Sequence, residues 1–232
     1  MNNICIIPAR GGSKRIKNKN IKIFNKKPII YWSIKAAIQS KCFSKIIVST
    51  DSKAILNIVQ KYKIYQNSLR PKFLSGDKVP TQAVLEYEIQ KIEKIEKIDN
   101  VCCLLATAPM VSFTDIRDSL KTFTDKKSKF VFSATEYDFP VQRSFFIDNK
   151  GFMEKKIFIG SKLNTQNLKK TYHDAGQFYW ASAKTFCRSE LTMYNSKSYP
   201  FILPSYKFVD IDEINDWKKA EAIVKVFKLL KS

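Results

Sequence analysis

The chain has 232 residues, 44% of them hydrophobic, which suits one α/β domain, or one domain with a modest insertion, around a sizeable core. No apolar run approaches the roughly 20 residues of a membrane helix, and the N-terminus alternates apolar and basic residues where a secretory signal would be apolar, so the expectation is a soluble, cytoplasmic protein with no membrane partner. The formal charge of +20 invites a basic nucleic-acid-binding reading, but the lysines are scattered along the whole chain and only six of the 41 basic residues are arginine, so no nucleic-acid partner is expected.

In chain order, Asn3–Pro8 is a short β-branched run that reads as a buried strand. Ala9–Asn20 is polar, basic and glycine-bearing, hence a loop. Pro28 can open a helix whose apolar face carries Ile30, Ile34, Ala37 and Ile38. Lys45–Thr50 is a second strand, and Asp51 and Ser52 follow as caps of a helix through Ala54, Ile55, Ile58 and Val59. Leu85, Ile89, Ile92 and Ile95 mark another helix. Val101–Ala106 is a third strand, Thr114–Thr124 a helix and Lys129–Thr135 a fourth strand. From Tyr137 to Lys170 aromatic residues, short alternating stretches and the turn Asp148-Asn149-Lys150-Gly151 suggest a β-rich insertion. Phe178–Ala183 and Lys207–Asp210 return to strand character. Ile214, Trp217, Ala220, Val224 and Phe227 then space a closing helix. Continuous apolar strands alternating with helices predict an α/β fold, with a mostly parallel sheet covered by helices on both faces.

Five cysteines (Cys5, Cys42, Cys102, Cys103 and Cys187) include no C-x-x-C pair, and three of them sit in predicted strands. Reduced core thiols are expected over a disulfide frame or a zinc site.

The segment Pro8-Ala9-Arg10-Gly11-Gly12-Ser13-Lys14-Arg15 follows the first strand directly, where ligands of open α/β sheets bind. Two adjacent glycines let backbone N–H groups approach an anion, and Arg10, Lys14 and Lys19 surround that nest with positive charge. The pattern is neither Walker A nor G-x-G-x-x-G, which weakens the ATPase and dehydrogenase readings. The bland alternative is a basic surface turn. Near the C-terminus, Asp210 and Asp212 stand two residues apart on an extended segment, where side chains point the same way and can hold a divalent cation such as Mg²⁺. Asp212 also suits the cap of the closing helix, whereas Asp210 is left unexplained by capping, and Asp216 is expected to face solvent.

The stretches I-I-P-A-R-G-G-S-K at 6–14 with K-N at 19–20, S-T-D at 49–51, R-P-x-x-L-S-x-D at 70–77 and D-I-D-x-x-x-D-W at 210–217 resemble the acylneuraminate cytidylyltransferase family, in the family's order and end to end. The resemblance implies a Rossmann-like fold of the nucleotide-diphospho-sugar transferase type. It also implies one cytidylyltransferase domain over 1–232, with a dimerisation and sugar-side segment at 137–170, and a homodimer. The implied reaction joins CTP to an acidic nine-carbon sugar, giving a CMP-sugar and pyrophosphate with Mg²⁺. His-Asp-Ala-Gly-Gln-Phe-Tyr-Trp at 173–180 and Pro140-Val141-Gln142-Arg143 resemble the branch that activates pseudaminic acid. Where sialic-acid members carry a glutamine in Q-P-T-S-P, this chain has Leu105 in Leu105-Ala106-Thr107-Ala108-Pro109, which favours a differently substituted nonulosonic acid. N-acetylneuraminate, legionaminate and 3-deoxy-manno-octulosonate remain alternative sugars.

Carried over by motif, Ala9 to Lys14 hold the triphosphate, Lys19 faces the α-phosphate, Arg70 and Thr81 lie near cytosine and ribose, and Asp77 supports that pocket. Lys19, Arg10 and Asp210 are the implied catalytic residues, and Asp210 and Asp212 the metal ligands. On the sugar side Leu105, Gln142, Arg143, His173, Asp174 and Gln177 are the candidates. Arg143 offers a two-pronged partner for the sugar carboxylate, and His173 is the one histidine, the residue type whose charge changes near neutral pH. The proton acceptor is left open between Asp210, a metal-bound hydroxide and no dedicated base.

Overall fold

The computed structural model describes residues 1–62, 64–65, 69–156, 168–188 and 193–229. β1 (Asn3–Pro8) is followed by a two-stranded hairpin, β2 (Ile23–Phe24) and β3 (Lys27–Pro28), and by α1 (Ile29–Ser40). Next come β4 (Lys45–Ser49), α2 (Lys53–Val59), α3 (Thr81–Glu93), β5 (Asn100–Leu104), α4 (Phe113–Asp125) and β6 (Phe130–Glu136). A second hairpin, β7 (Phe145–Ile147) and β8 (Met153–Lys156), precedes the long β9 (Tyr172–Ser182), the short α5 (Ala183–Phe186), β10 (Ser198–Ile202) and α6 (Ile214–Leu229).

The central sheet runs β10-β6-β9-β5-β1-β4. β1 pairs in parallel with both β4 and β5, β10 pairs in parallel with β6, and β9 lies antiparallel between β5 and β6. The α/β class and the mostly parallel sheet expected from the alternation are therefore present. Alternation along β1 divides the core. Cys5 and Ile7 face a layer with Ile30 and Ile34 of α1, Ile55 of α2, Ile116 of α4 and the fully buried Trp180. Ile4 and Ile6 face the opposite layer, with Leu85, Ile89 and Ile92 of α3 and Phe186 of α5. Helices thus cover both faces. The chain leaves β1 toward β4 on one side and returns to β5 on the other. The carboxyl ends of β1 and β5 accordingly frame a topological switch point, the place where open α/β sheets accept ligands.

A third apolar cluster unites Ile16, Phe24 and Ile29 with Val209, Ile211, Trp217 and Ala220. It presses the loop after β1, the first hairpin and the segment before α6 together. Phe24 and Trp217 meet edge to face at 5.5 Å.

Two expectations need correction. Lys207–Asp210 is not a strand: Ser205–Lys207 forms a turn of 3₁₀ helix, and 208–212 runs extended outside the sheet. The strand at this end is β10, whose Pro200 conceals it. Pro removes a ladder donor and is tolerated because β10 is an edge. Asp212 is not the cap of α6: Asp216, partly exposed, accepts the N–H groups of Asp212 (3.1 Å) and Glu213 (2.7 Å), so it caps the helix and leaves the Asp212 carboxylate for other partners. The β-rich expectation for 137–170 is met by β7–β8, while 157–167 lies outside the described residues. All five cysteines are free thiols, and Cys5, Cys102 and Cys103 are buried.

Candidate active site

At the carboxyl ends of β1 and β5 opens a cavity of about 510 Å³. Arg10, Lys14, Lys19, Arg70, Asp77 and Thr81 line it, together with Leu105, Arg15 and Asp212. Most of the nucleotide-side candidates therefore share one cavity, although they come from segments far apart in sequence.

The loop after β1 is held at several points. Ala9 is buried and its N–H donates to the Ser49 carbonyl at 2.9 Å, so Ala9 anchors the loop and does not line the cavity. The Gly11 N–H donates to the Asp51 carboxylate at 2.8 Å. A Cβ at position 11 would stand 2.9 Å from the Ser52 Cβ, so glycine is required there by close approach to the β4–α2 turn. This alters the expected anion nest: Gly11 aims its N–H at protein, while Gly12 beside it faces open space. The buried Asn20 closes the loop by donating from its side chain to the Arg10 carbonyl at 2.9 Å. Ser52 caps α2, accepting from the Ile55 N–H, as expected; Asp51 serves the loop instead.

Charges in the cavity are paired in two sets. Arg10 and Lys14 both form ion pairs with Asp77, and these bonds hold the Asp77 carboxyl below the usual carboxylate range. Lys19 Nζ donates to the Ile211 carbonyl at 2.7 Å and approaches Asp212 at 3.3 Å, while Arg15 pairs with Asp212 at 2.7 Å. Arg70 is buried, and burial pushes its guanidinium pKa down against the opposing pull of Asp51 and Glu88. Among the described residues its Nε has no hydrogen-bond partner, although the side chain borders the cavity.

A second groove, of about 1110 Å³, carries Arg143, His173, Asp210, Lys219, Tyr137 and Phe208 on its walls. His173 packs against Tyr137 and Phe208, with ring centroids 4.6 and 5.2 Å away, and its Nδ1 lies 2.9 Å from the Asp174 carbonyl. Asp210 faces this groove and Asp212 faces the first cavity, so the 210–212 segment stands between the two. Burial raises the Asp210 pKa, and the Asp212 charge adds to that rise.

The remaining sugar-side candidates do not converge on this groove. Leu105 lines the first cavity. Asp174 accepts from the Gly176 N–H (2.8 Å) and the Tyr179 hydroxyl (2.6 Å), both within its own strand. Gln177 is buried with its amide donating to the Ala175 carbonyl, and Gln142 donates to the Lys169 carbonyl. Sequence reasoning missed Arg15, Asn20 and Asp51 as parts of the site. The S-T-D motif was the available signal for Asp51, but nothing local shows that its carboxylate reaches the loop after β1.

A cationic loop at the switch point of a mostly parallel sheet, with Asp212 across the cavity and Asp210 just beyond it in the next groove, defines a nucleotide-transferring α/β enzyme. The chain matches the cytidylyltransferase family over residues 4–219 and belongs to it. It is a nucleotidyltransferase. It is 38% identical to a pseudaminic acid cytidylyltransferase of Campylobacter jejuni over 97% of both chains. It is 29% identical to a CMP-N,N'-diacetyllegionaminic acid synthase of Legionella pneumophila over 96% of both. A CMP:2-keto-3-deoxy-manno-octonic acid synthetase solved with CTP shares the fold at a TM-score of 0.71 and 16% identity, over 97% of this chain and 99% of that one. Among the described residues, no helix is long and apolar enough to cross a membrane.

Proposed function

We propose that this enzyme transfers CMP from CTP to the anomeric hydroxyl of pseudaminic acid and releases pyrophosphate. The sugar rests on the likeness to the Campylobacter jejuni enzyme over nearly the whole of both chains. The site supports the chemistry through the convergence of Arg10, Lys14, Lys19 and Arg70 on one cavity.

In this reading Arg10 and Lys14 leave Asp77 for the β- and γ-phosphates, and Ser13 and Gly12 border the same oxygens. Lys19 meets the negative charge that grows on the α-phosphate as the sugar oxygen approaches, which is where a fixed cation gives most in phosphoryl transfer. Arg70, its Nε unpartnered among the described residues, faces the cytidine end with Thr81. Arg143 and His173 take the sugar carboxylate and hydroxyls in the second groove, which places the reacting atoms at the 210–212 segment between the two spaces. Asp210 and Asp212 fit a divalent cation. Both are oxygen donors, burial and secondarily the Asp212 charge disfavour the Asp210 carboxylate when no cation is near, and Mg²⁺ is commonly held by one or two carboxylates together with substrate phosphates. Bound there, Mg²⁺ would neutralise phosphate charge.

Incubation with CTP, Mg²⁺ and a panel of nonulosonic acids should release pyrophosphate with pseudaminic acid. Release only with N-acetylneuraminic, legionaminic or 3-deoxy-manno-octulosonic acid would reassign the sugar, and no release with any would overturn the reading.

We also place the protein in the cytoplasm, where its free thiols stay reduced. We read it as a homodimer joined through the second hairpin. Phe145, Phe146, Ile147, Phe152 and Met153 are more than half exposed there, a concentration of apolar side chains on both faces of the hairpin that favours a partner. Sedimentation should report a dimer, and Phe146→Asp with Phe152→Asp should convert it to monomer.

A further inference from the structure

The S-T-D stretch at the end of β4 and the buried Glu88 of α3 have no part in the proposed transfer chemistry, yet they are joined by the Ser49–Glu88 hydrogen bond and lie next to Gly11 and Arg70. Asp51 shares one carboxylate oxygen between two elements. Its Oδ1 accepts the Gly11 N–H at 2.8 Å and lies 3.9 Å from the Arg70 guanidinium. The main chain repeats the link, because the Arg70 N–H donates to the Thr50 carbonyl at 2.7 Å. Glu88 is 1% exposed and accepts the Ser49 hydroxyl at 2.7 Å, one residue from the Thr50 carbonyl that holds the Arg70 main chain, so a second buried carboxylate stands in the neighbourhood of the guanidinium and opposes the fall of its pKa. A guanidinium this deeply buried needs compensating carboxylates, or it turns back toward water.

Resting on the nucleotidyltransferase reading, we propose that Asp51 and Glu88 are positioning residues for CTP: Asp51 yokes the phosphate loop to Arg70, and Glu88 fixes the charge and direction of Arg70. Neither side chain touches the triphosphate. Asp51 acts on both ends of the nucleotide, through Gly11 on the phosphates and through Arg70 on the cytidine. Glu88 acts on the cytidine end alone. The two carboxylates therefore have different signatures, which a purely structural role would not produce.

The test is equilibrium binding of CTP and of inorganic tripolyphosphate to the full-length protein and its variants, with folding checked by thermal denaturation. Asp51→Ala should weaken both ligands about tenfold, since it removes a charge-assisted bond. Asp51→Asn, which keeps an acceptor for Gly11, should weaken CTP while holding tripolyphosphate within about twofold. Glu88→Gln should weaken CTP about tenfold and leave tripolyphosphate within about twofold, and Ser49→Ala should follow it in the same direction if the glutamine variant folds poorly. In an Arg70→Ala background, Glu88→Gln should cost nothing further for CTP. Equal losses for both ligands in Glu88→Gln, an undiminished loss in the Arg70→Ala background, or CTP binding in Asp51→Ala within twofold of the unmodified protein would overturn the yoke. If the unmodified protein neither binds CTP nor releases pyrophosphate, the nucleotidyltransferase reading falls and the yoke with it.

Discussion

Lys19 Nζ is held by the Ile211 carbonyl and the Asp212 carboxylate, so this cation is aimed before any nucleotide arrives. Replacing it with alanine should lower kcat by roughly 10²-fold or more, with a smaller change in KM for CTP, as expected for a charge that acts mainly on the transition state. Pyrophosphate release at saturating CTP measures this, and an unchanged kcat would remove Lys19 from the reaction. Asp77 has the opposite character. It occupies Arg10 and Lys14, and a nucleotide must displace it. Asp77→Asn should therefore strengthen pyrophosphate binding severalfold, read by calorimetry. Because those cations depress its pKa, the Asp77 pairing is complete above the ordinary carboxylate range and is lost only as pH falls through the lowered value. The clasp is consequently not a switch near neutral pH.

At the scale of elements, the segment bearing Asp210 and Asp212 gains its position from packing, since it belongs to no sheet. Val209 and Ile211 point into the cluster around Trp217, which turns the alternate residues 210 and 212 toward the two binding spaces. Trp217→Ala should destabilise the fold by about 3–5 kcal/mol and weaken Mg²⁺ dependence along with it. Urea denaturation and metal titration report the two effects. The same segment is pinned upstream by Lys207, which pairs with Asp115 at 2.9 and 3.0 Å in the capping box of α4. Lys207→Ala should lower stability by about 1–2 kcal/mol in the same urea experiment, because it leaves a largely buried carboxylate short of its cation.

For the whole molecule, the sheet holds three thiols out of reach. Burial pushes the thiols of Cys102 and Cys103 well up from their ordinary value, and Cys5 is equally buried beside them. Alkylation of the native protein at neutral pH should stop at the partly exposed Cys42 and Cys187, and all five should react after denaturation, as intact mass would show. Labelling of Cys103 in the folded state would contradict the packing of β5 against α3.

The alternation of apolar strands and helices was legible in the chain because periodicity is a local property, and so was the loop after β1, whereas Asp210 and Asp212, expected on one face, border different spaces. The loop motif and the acidic pair state their chemistry through residue type alone. β10 escaped notice because Pro200 breaks the local strand signal, and only its edge position makes proline tolerable. Asp51 and Arg15 gave no local sign of their partners, since each meets a group brought to it by the sheet order or by the docking of α6, and Asn20 closes its own loop on the Arg10 carbonyl through a turn that residue type does not announce. The separation of Asp174 and Gln177 from Arg143 and His173 was likewise decided in three dimensions, where β9 turns some of its side chains into the core. Sequence determined which chemistries were available to this protein. Tertiary structure decided which of those residues face one another, because distances between remote segments are set by strand order and core packing and not by spacing along the chain.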